Sequence, residues 1–211
     1  MAVTTLFFDF GGVFTYSPFT AIDAIGIERG AAPGQFVEIV FGSYHIDGDH
    51  PWHRLERGEI TMDAARLEII DLGGEVNLDV DLYEVFASLP RDGGLRTELV
   101  DKVTQLKAED VPMAIVTNNV RELSASWRSL FPVDEIFGEI IDSSFEGVRK
   151  PDPAIFELAM ERMGGVAAQD SLFLDDHPAN VAAARSLGMQ AILVEDDIAS
   201  VIAEIDHQLN S

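Results

Sequence analysis

Short apolar runs that stop at a polar residue constrain this chain more than any other feature of its sequence. Residues 4–9 read TTLFFD and are followed by Gly11 and Gly12, the pattern of a buried strand with a loop after it. The runs PMAIVT at 112–117, SLFLDD at 171–176 and AILV at 191–194 repeat that pattern, and 137–141 is a weaker example. Between them, 95–108, 154–163 and 180–187 carry apolar residues at three- and four-residue spacing, the last stopping at Gly188. Strands alternating with helices of this size predict βαβ units and an α/β fold around a mainly parallel, Rossmann-like sheet.

One stretch breaks the alternation. Residues 16–90 show helical periodicity and no apolar run that reads as a strand, with helices expected at 21–29, 34–41, 51–57 and 62–71. An all-helical insertion after the first strand predicts a cap domain at 16–90 on a core built from 1–15 and 91–211, with linkers near 15–18 and 88–94. A length of 211 residues fits one core plus one modest insertion. A chain of that size buries about 70% of its unfolded surface and needs no staple.

Composition removes several classes of function. There is no cysteine, which excludes a disulfide scaffold, a cysteine metal site and a thiol nucleophile. Lys and Arg number 14 against 37 Asp and Glu, a formal charge of −23, so nucleic acid and anionic membrane surfaces are not expected partners. The first basic residue is Arg29, and no apolar run approaches 18 residues, so a signal peptide and a membrane span are not expected and a cytoplasmic location is.

The polar residues fall in a telling place. Asp9, Thr117 and the Asp175–Asp176 pair each sit at the C-terminal end of an expected strand. That edge of an open parallel sheet is where ligands bind. Any one of these residues alone reads better as a helix cap. Three strands converging on one crevice favour a site.

Four segments in order carry a family resemblance: FFDFGGVFT around Asp9, AIVTNN around Thr117, GVRKPDPAIF with Lys150, and FLDDHPANVAAARSLGM with Asp175 and Asp176. The sequence resembles the haloacid dehalogenase-like (HAD) hydrolase superfamily over nearly its whole length. The phrase PWHRLERGEIT and the FLDD form of the fourth segment are most similar to its helical-cap members: the phosphatase domain of soluble epoxide hydrolase, the α-glucose-1-phosphate phosphatases and the phosphatase-like domain fused to some acyl-CoA dehydrogenases.

The resemblance implies an Mg²⁺-dependent phosphatase acting on a small phosphorylated metabolite, with sugar phosphates favoured. Asp9 would be the nucleophile that forms an aspartyl-phosphate, a role suited to a carboxylate ionised at neutral pH. Thr117 and the backbone N–H of Asn118 would hold phosphate oxygens at a helix N-terminus. Lys150 would neutralise charge on both nucleophile and phosphoryl group. Asp9, the carbonyl of Gly11 and Asp176 would hold Mg²⁺, with Asp175 beside them as a ligand or a support. The bare alternative for Lys150 is a solvated loop lysine.

One position departs from the family pattern. Phosphatases of this superfamily carry a second Asp two residues after the nucleophile, and here that residue is Gly11. It serves them as general acid and base, a contribution worth roughly 10²–10⁴-fold. Three readings follow: a phosphatase for esters with good leaving groups; a proton supplied by Thr15, His177, His45, His50 or His53, whose ordinary reading is polar surface; or a binding or regulatory module that turns over little. A dehalogenase would also lack that Asp, but would have no use for the second carboxylate of FLDD. The aromatics Phe14, Tyr16, Phe19, Phe41, Tyr44 and Trp52 are candidates for the pocket wall, at spacings that more often mean core.

Overall fold

The computed structural model describes residues 2–89 and 94–211. At its centre lies a five-stranded sheet in the order β3-β2-β1-β4-β5, every neighbouring pair parallel. The strands are β1 (Thr5–Phe8), β2 (Met113–Thr117), β3 (Glu139–Asp142), β4 (Ser171–Asp175) and β5 (Gln190–Leu193). All five runs read as strands from the sequence are strands here, their ends shifted by a residue or two.

Between β1 and β2 run α1 (Phe19–Glu28), α2 (Gln35–Phe41), α3 (Pro51–Glu56), α4 (Met62–Glu75), α5 (Leu82–Ala87) and α6 (Thr97–Ala108). The short α7 (Ser124–Arg128) and α8 (Val133–Ile136) follow β2, and α9 (Ser143–Glu146) and α10 (Pro153–Arg162) separate β3 from β4. Last come α11 (Pro178–Ser186), between β4 and β5, and α12 (Ile198–Leu209). The six-residue α5 is too short for its periodicity to register in the sequence. Helix α12 is not among the expected helices, although Ile198, Val201, Ile202, Ile205 and Leu209 recur at three- and four-residue spacing; Val201 and Ile205 are buried.

Helices cover both faces of the sheet, so β1, β2 and β4 are buried along their whole length. Side chains alternate across a strand. Leu6 and Phe8 therefore join Ile115, Leu172 and Leu174 against Leu99 and Val103 of α6 and Val201 and Ile205 of α12. Phe7 joins Val116 and Phe173 on the opposite face, against Ile155 and Phe156 of α10 and Ala184 of α11.

Helices α1 to α5 gather around an apolar cluster of their own, which includes Ile22, Phe36, Val40, Leu55, Ile69 and Val85. Val120, from the loop after β2, is the residue of that cluster contributed from outside the helical stretch. The boundary expected near 90 and 91, and most of the Pro- and Gly-rich linker, lie outside the described residues. No helix among the described residues is long and apolar enough to cross a membrane.

A tight seam joins the helical layer to the sheet. Gly58 adopts φ +67°, and a Cβ there would lie 2.2 Å from the carbonyl oxygen of Ser144, so only glycine fits. Met62 N–H donates to Glu122 Oε1 at 2.8 Å. The principal contact is ionic. The Arg149 side chain is 0% exposed, and its Nε donates to Glu56 Oε2 at 2.7 Å while Nη1 reaches Asp47 at 3.3 Å. Removing one partner of a buried ion pair leaves the other uncompensated, so Arg149→Met should lower stability by about 3–5 kcal/mol. Adding Glu56→Leu should recover most of that loss, and urea unfolding of the single and double variants measures both.

Candidate active site

Register sets the site. Phe8 of β1 lies opposite Ile115 of β2 and Leu174 of β4, so Asp9 emerges at the sheet edge level with Asp175. The Asp9 N–H donates to the Leu174 carbonyl at 2.8 Å and holds it there. Lys150 arrives from the loop ahead of α10, with its ammonium fully buried. It stands 2.9 Å from Asp9 Oδ1 and 2.7 Å from Asp175 Oδ2. Asn118 fixes the backbone of that lysine: its Oδ1 accepts the Lys150 N–H at 2.8 Å, and its Nδ2 donates to the Lys150 carbonyl at 2.9 Å. The sequence reading assigned Asn118 through its own N–H and missed this clamp, which joins residues 32 positions apart.

Asp175 is 0% exposed and its oxygens are fully engaged. Oδ1 accepts the His177 N–H at 2.7 Å, Oδ2 accepts Lys150, and Asn180 Nδ2 lies 3.1 Å from both. Asp176 points toward the loop after β1. There Gly12 has φ +77°, and a Cβ at that residue would fall 1.9 Å from Asp176 Oδ2. Glycine is therefore required for the aspartate to occupy its place.

Carboxylate oxygens of Asp9, Asp175 and Asp176 lie within 4.8 Å of one another. Crowding like charges away from water favours their neutral forms. Burial, reinforced by Asp175 and opposed by Lys150, raises Asp9 to about 6. Burial, then the charges of Asp9 and Asp175, raise Asp176 to about 7. Burial opposes charge on Lys150, but the two carboxylates beside it prevail and raise its pKa.

Thr117 is 1% exposed, and its Oγ1 has no hydrogen-bond partner. The helix expected directly after it begins later. Residues 118–120 are loop, followed by a 3₁₀ turn at Arg121–Leu123 and the five-residue α7. Any backbone N–H offered beside Thr117 is therefore a loop amide. At Gly11 a Cβ would meet nothing within 4 Å, so no other side chain has moved into the place of the missing carboxylate.

A cleft of about 170 Å³ opens in front of these groups, and Asp9, Gly11, Asn118, Lys150 and Asp176 are part of its lining. Of the candidate proton donors, His177 lines it and Thr15 does not. His50 caps α3 by accepting the Trp52 N–H at 3.2 Å, and His53 accepts the Gly48 N–H at 3.1 Å, so both are structural. His45 packs against His177 with the rings tilted by 57° and their centroids 5.5 Å apart. His177 Nδ1 accepts the Ala179 N–H at 3.3 Å as the cap of α11. Burial, then the charge of His45, lowers its pKa to about 4.

Phe19, Phe41, Tyr44 and Trp52 reach the cleft. Phe14 instead packs among Phe8, Phe10 and Phe137 in the sheet core, and Tyr16 is 61% exposed away from the cleft. Glu56 and Phe86 also line it and were not singled out from the sequence. The signal for Glu56 lay in the ERGEIT phrase, whose acidic residues gave no hint of burial.

The fold and this constellation define a HAD-type hydrolase core. The family model for haloacid dehalogenase-like hydrolases matches residues 3–188, and the chain belongs to that family. It is 30% identical over 193 residues to acyl-CoA dehydrogenase family member 10 of Mus musculus, covering 89% of this chain but only 17% of that protein. It is 27% identical to a sesquiterpene phosphatase of Aspergillus oryzae over 92% of this chain and 90% of that one. Among solved structures, a HAD family enzyme of Bacteroides thetaiotaomicron in complex with magnesium and inorganic phosphate superposes with a TM-score of 0.62 at 20% identity, over 92% of this chain and 96% of that chain, a likeness of fold.

The raised carboxylates carry a pH signature. A folded-state pKa lifted above 3.8 stabilises the fold below that value, and the contribution is lost as pH rises through about 6 and 7. A divalent cation would relieve that repulsion and must compete with protons for the same oxygens. Adding Mg²⁺ should therefore raise the melting temperature more at about pH 8 than at about pH 5. Thermal melts at the two pH values check it.

Proposed function

We propose that this protein is an Mg²⁺-dependent phosphatase that works through an aspartyl-phosphate on Asp9, the helical layer over residues 16–90 acting as its cap. One observation carries the reading: a buried lysine braced against the carboxylate at the end of the central strand, beside a threonine hydroxyl with no partner and a second aspartate that lines the same cleft. The donor set suits Mg²⁺. It is all oxygen, it is crowded enough that protons are retained near neutral pH, and one ammonium answers three carboxylates.

The ligands in this reading are Asp9, Asp176 and the carbonyl of Gly11. Asp175 takes a different part. Its oxygens are committed to Lys150, Asn180 and the His177 N–H, so it orients the lysine. Bound Mg²⁺ would neutralise charge on the transferred phosphoryl group.

Asp9 then attacks phosphorus, and the ester oxygen departs with the bonding pair. Lys150 and the Thr117 hydroxyl hold the equatorial oxygens where charge builds. No side chain at Gly11 protonates the departing oxygen, so its proton comes from water. Water next attacks the acyl phosphate, releasing inorganic phosphate and restoring Asp9. The missing general acid corresponds to about 3–5 kcal/mol of barrier, so substrates whose alcohols leave readily should dominate.

Asp9→Asn and chelation by EDTA should each abolish turnover in a phosphomonoester panel. Turnover that survives EDTA would remove the metal assignment. Folded, Mg²⁺-binding protein with no turnover would make the chain a binding module, and chloride release from 2-chloropropionate would make it a dehalogenase. Gly11→Asp has open space at its Cβ. It should raise turnover of a simple alkyl phosphate by about 10²-fold or more, read from initial rates.

A further inference from the structure

We infer that the alcohol carried by the substrate is a hydrocarbon, alkyl or aryl, and not a sugar. The inference rests on the phosphatase reading and names its substrate class. The floor of the cleft is polar, but the wall facing it is not. Phe19, Phe41, Trp52 and Phe86 come from four different helices of the layer above, and Val120 and Leu123 join them from the loop and 3₁₀ turn after β2. Phe41 sits edge-on to both neighbours, with centroids 5.2 Å from Phe19 and 4.9 Å from Trp52. Phe41 and Trp52 are braced inside the layer's own apolar cluster, while Phe19 and Phe86 stay half-buried and Leu123 is 39% exposed. Such a wall is preformed and apolar, a surface that a hydrocarbon can cover.

Two polar groups of the wall are already engaged. Tyr44 Oη donates to Glu56 Oε1 at 3.4 Å, and Glu56 Oε2 accepts Arg149 Nε at 2.7 Å. Among the described residues, Lys150 is the sole cation lining the cleft, and it is held between Asp9 and Asp175. On the floor, the Asn118 amide is committed to Lys150, Asn180 to Asp175, and Ser17 to Asp176. Groups left over among the described lining residues are the second ring nitrogen of His177, the amide nitrogen of Asn119, the amide oxygen of Asn180 and the indole nitrogen of Trp52. A sugar would have to place its hydroxyls against an aromatic wall with few free polar groups, and a second anionic group would meet Glu56 in place of a cation. A hydrocarbon gains from the same surface. The sugar phosphate expected from the resemblance gives way to an apolar ester.

Calorimetric titration with methyl-, butyl- and hexylphosphonate in the presence of Mg²⁺ tests this without requiring turnover. Affinity should rise about fourfold per added methylene until the cleft is filled. Phe86→Ser and Leu123→Ser should each flatten the series; Leu123 is near the surface, so that variant folds even if the other does not. Hexylphosphonate binding no tighter than methylphosphonate, glucose 6-phosphate displacing it, or an unchanged slope in both variants would overturn the inference while leaving the phosphatase reading intact. If inorganic phosphate and every phosphonate fail to bind, that reading falls and this one with it.

Discussion

The ammonium of Lys150, removed from water between Asp9 and Asp175, is the interaction on which the rest of the site depends. A charge buried this completely is tolerable only when paired and hydrogen-bonded. The fold meets that demand from three directions: a central strand supplies Asp9, its neighbour supplies Asp175, and the Asn118 amide grips the lysine's own backbone. Three carboxylates against one ammonium still leave an excess of negative charge, inside a protein whose formal charge is already −23. A phosphate dianion entering such a field requires a counter-charge, which is the physical case for a divalent cation.

The residue before that lysine faces the other way. Arg149 reaches into the helical layer to Glu56, while Lys150 reaches to the sheet edge. One dipeptide thus ties the roof of the cleft to its floor. Any displacement of α3 breaks an ion pair one residue from the group that braces Asp9. Gly58, packed against Ser144, keeps the seam too close for a side chain to intervene.

Much of this was legible in the sequence, for physical reasons. A buried parallel strand must be continuously apolar, and its polar terminus must stand at the ligand edge, so Asp9, Thr117, Asp175 and Asp176 could be placed without coordinates. Helices in the insertion were readable for the same reason of period, except α5, which is barely more than a turn and a half long. What stayed hidden depends on side-chain direction. Asp175 and Asp176 are adjacent and chemically identical, yet one is saturated by Lys150, Asn180 and a backbone N–H while the other opens to the cleft. Phe14 and Phe19 look equally available as pocket walls, but only the second emerges from the core. The loop and 3₁₀ turn that delay the helix after Thr117 follow from local backbone geometry that no periodicity reports.

His177 shows how a structural duty limits a chemical one. Its Nδ1 is occupied as the acceptor that caps α11, which fixes the neutral tautomer with the proton on Nε2. Protonating the ring would turn that acceptor into a donor aimed at the Ala179 N–H and undo the cap. The imidazole is thus committed to one charge state through the neutral range: a fixed hydrogen-bond donor at the rim, and a poor courier of protons between solvent and the phosphoryl centre.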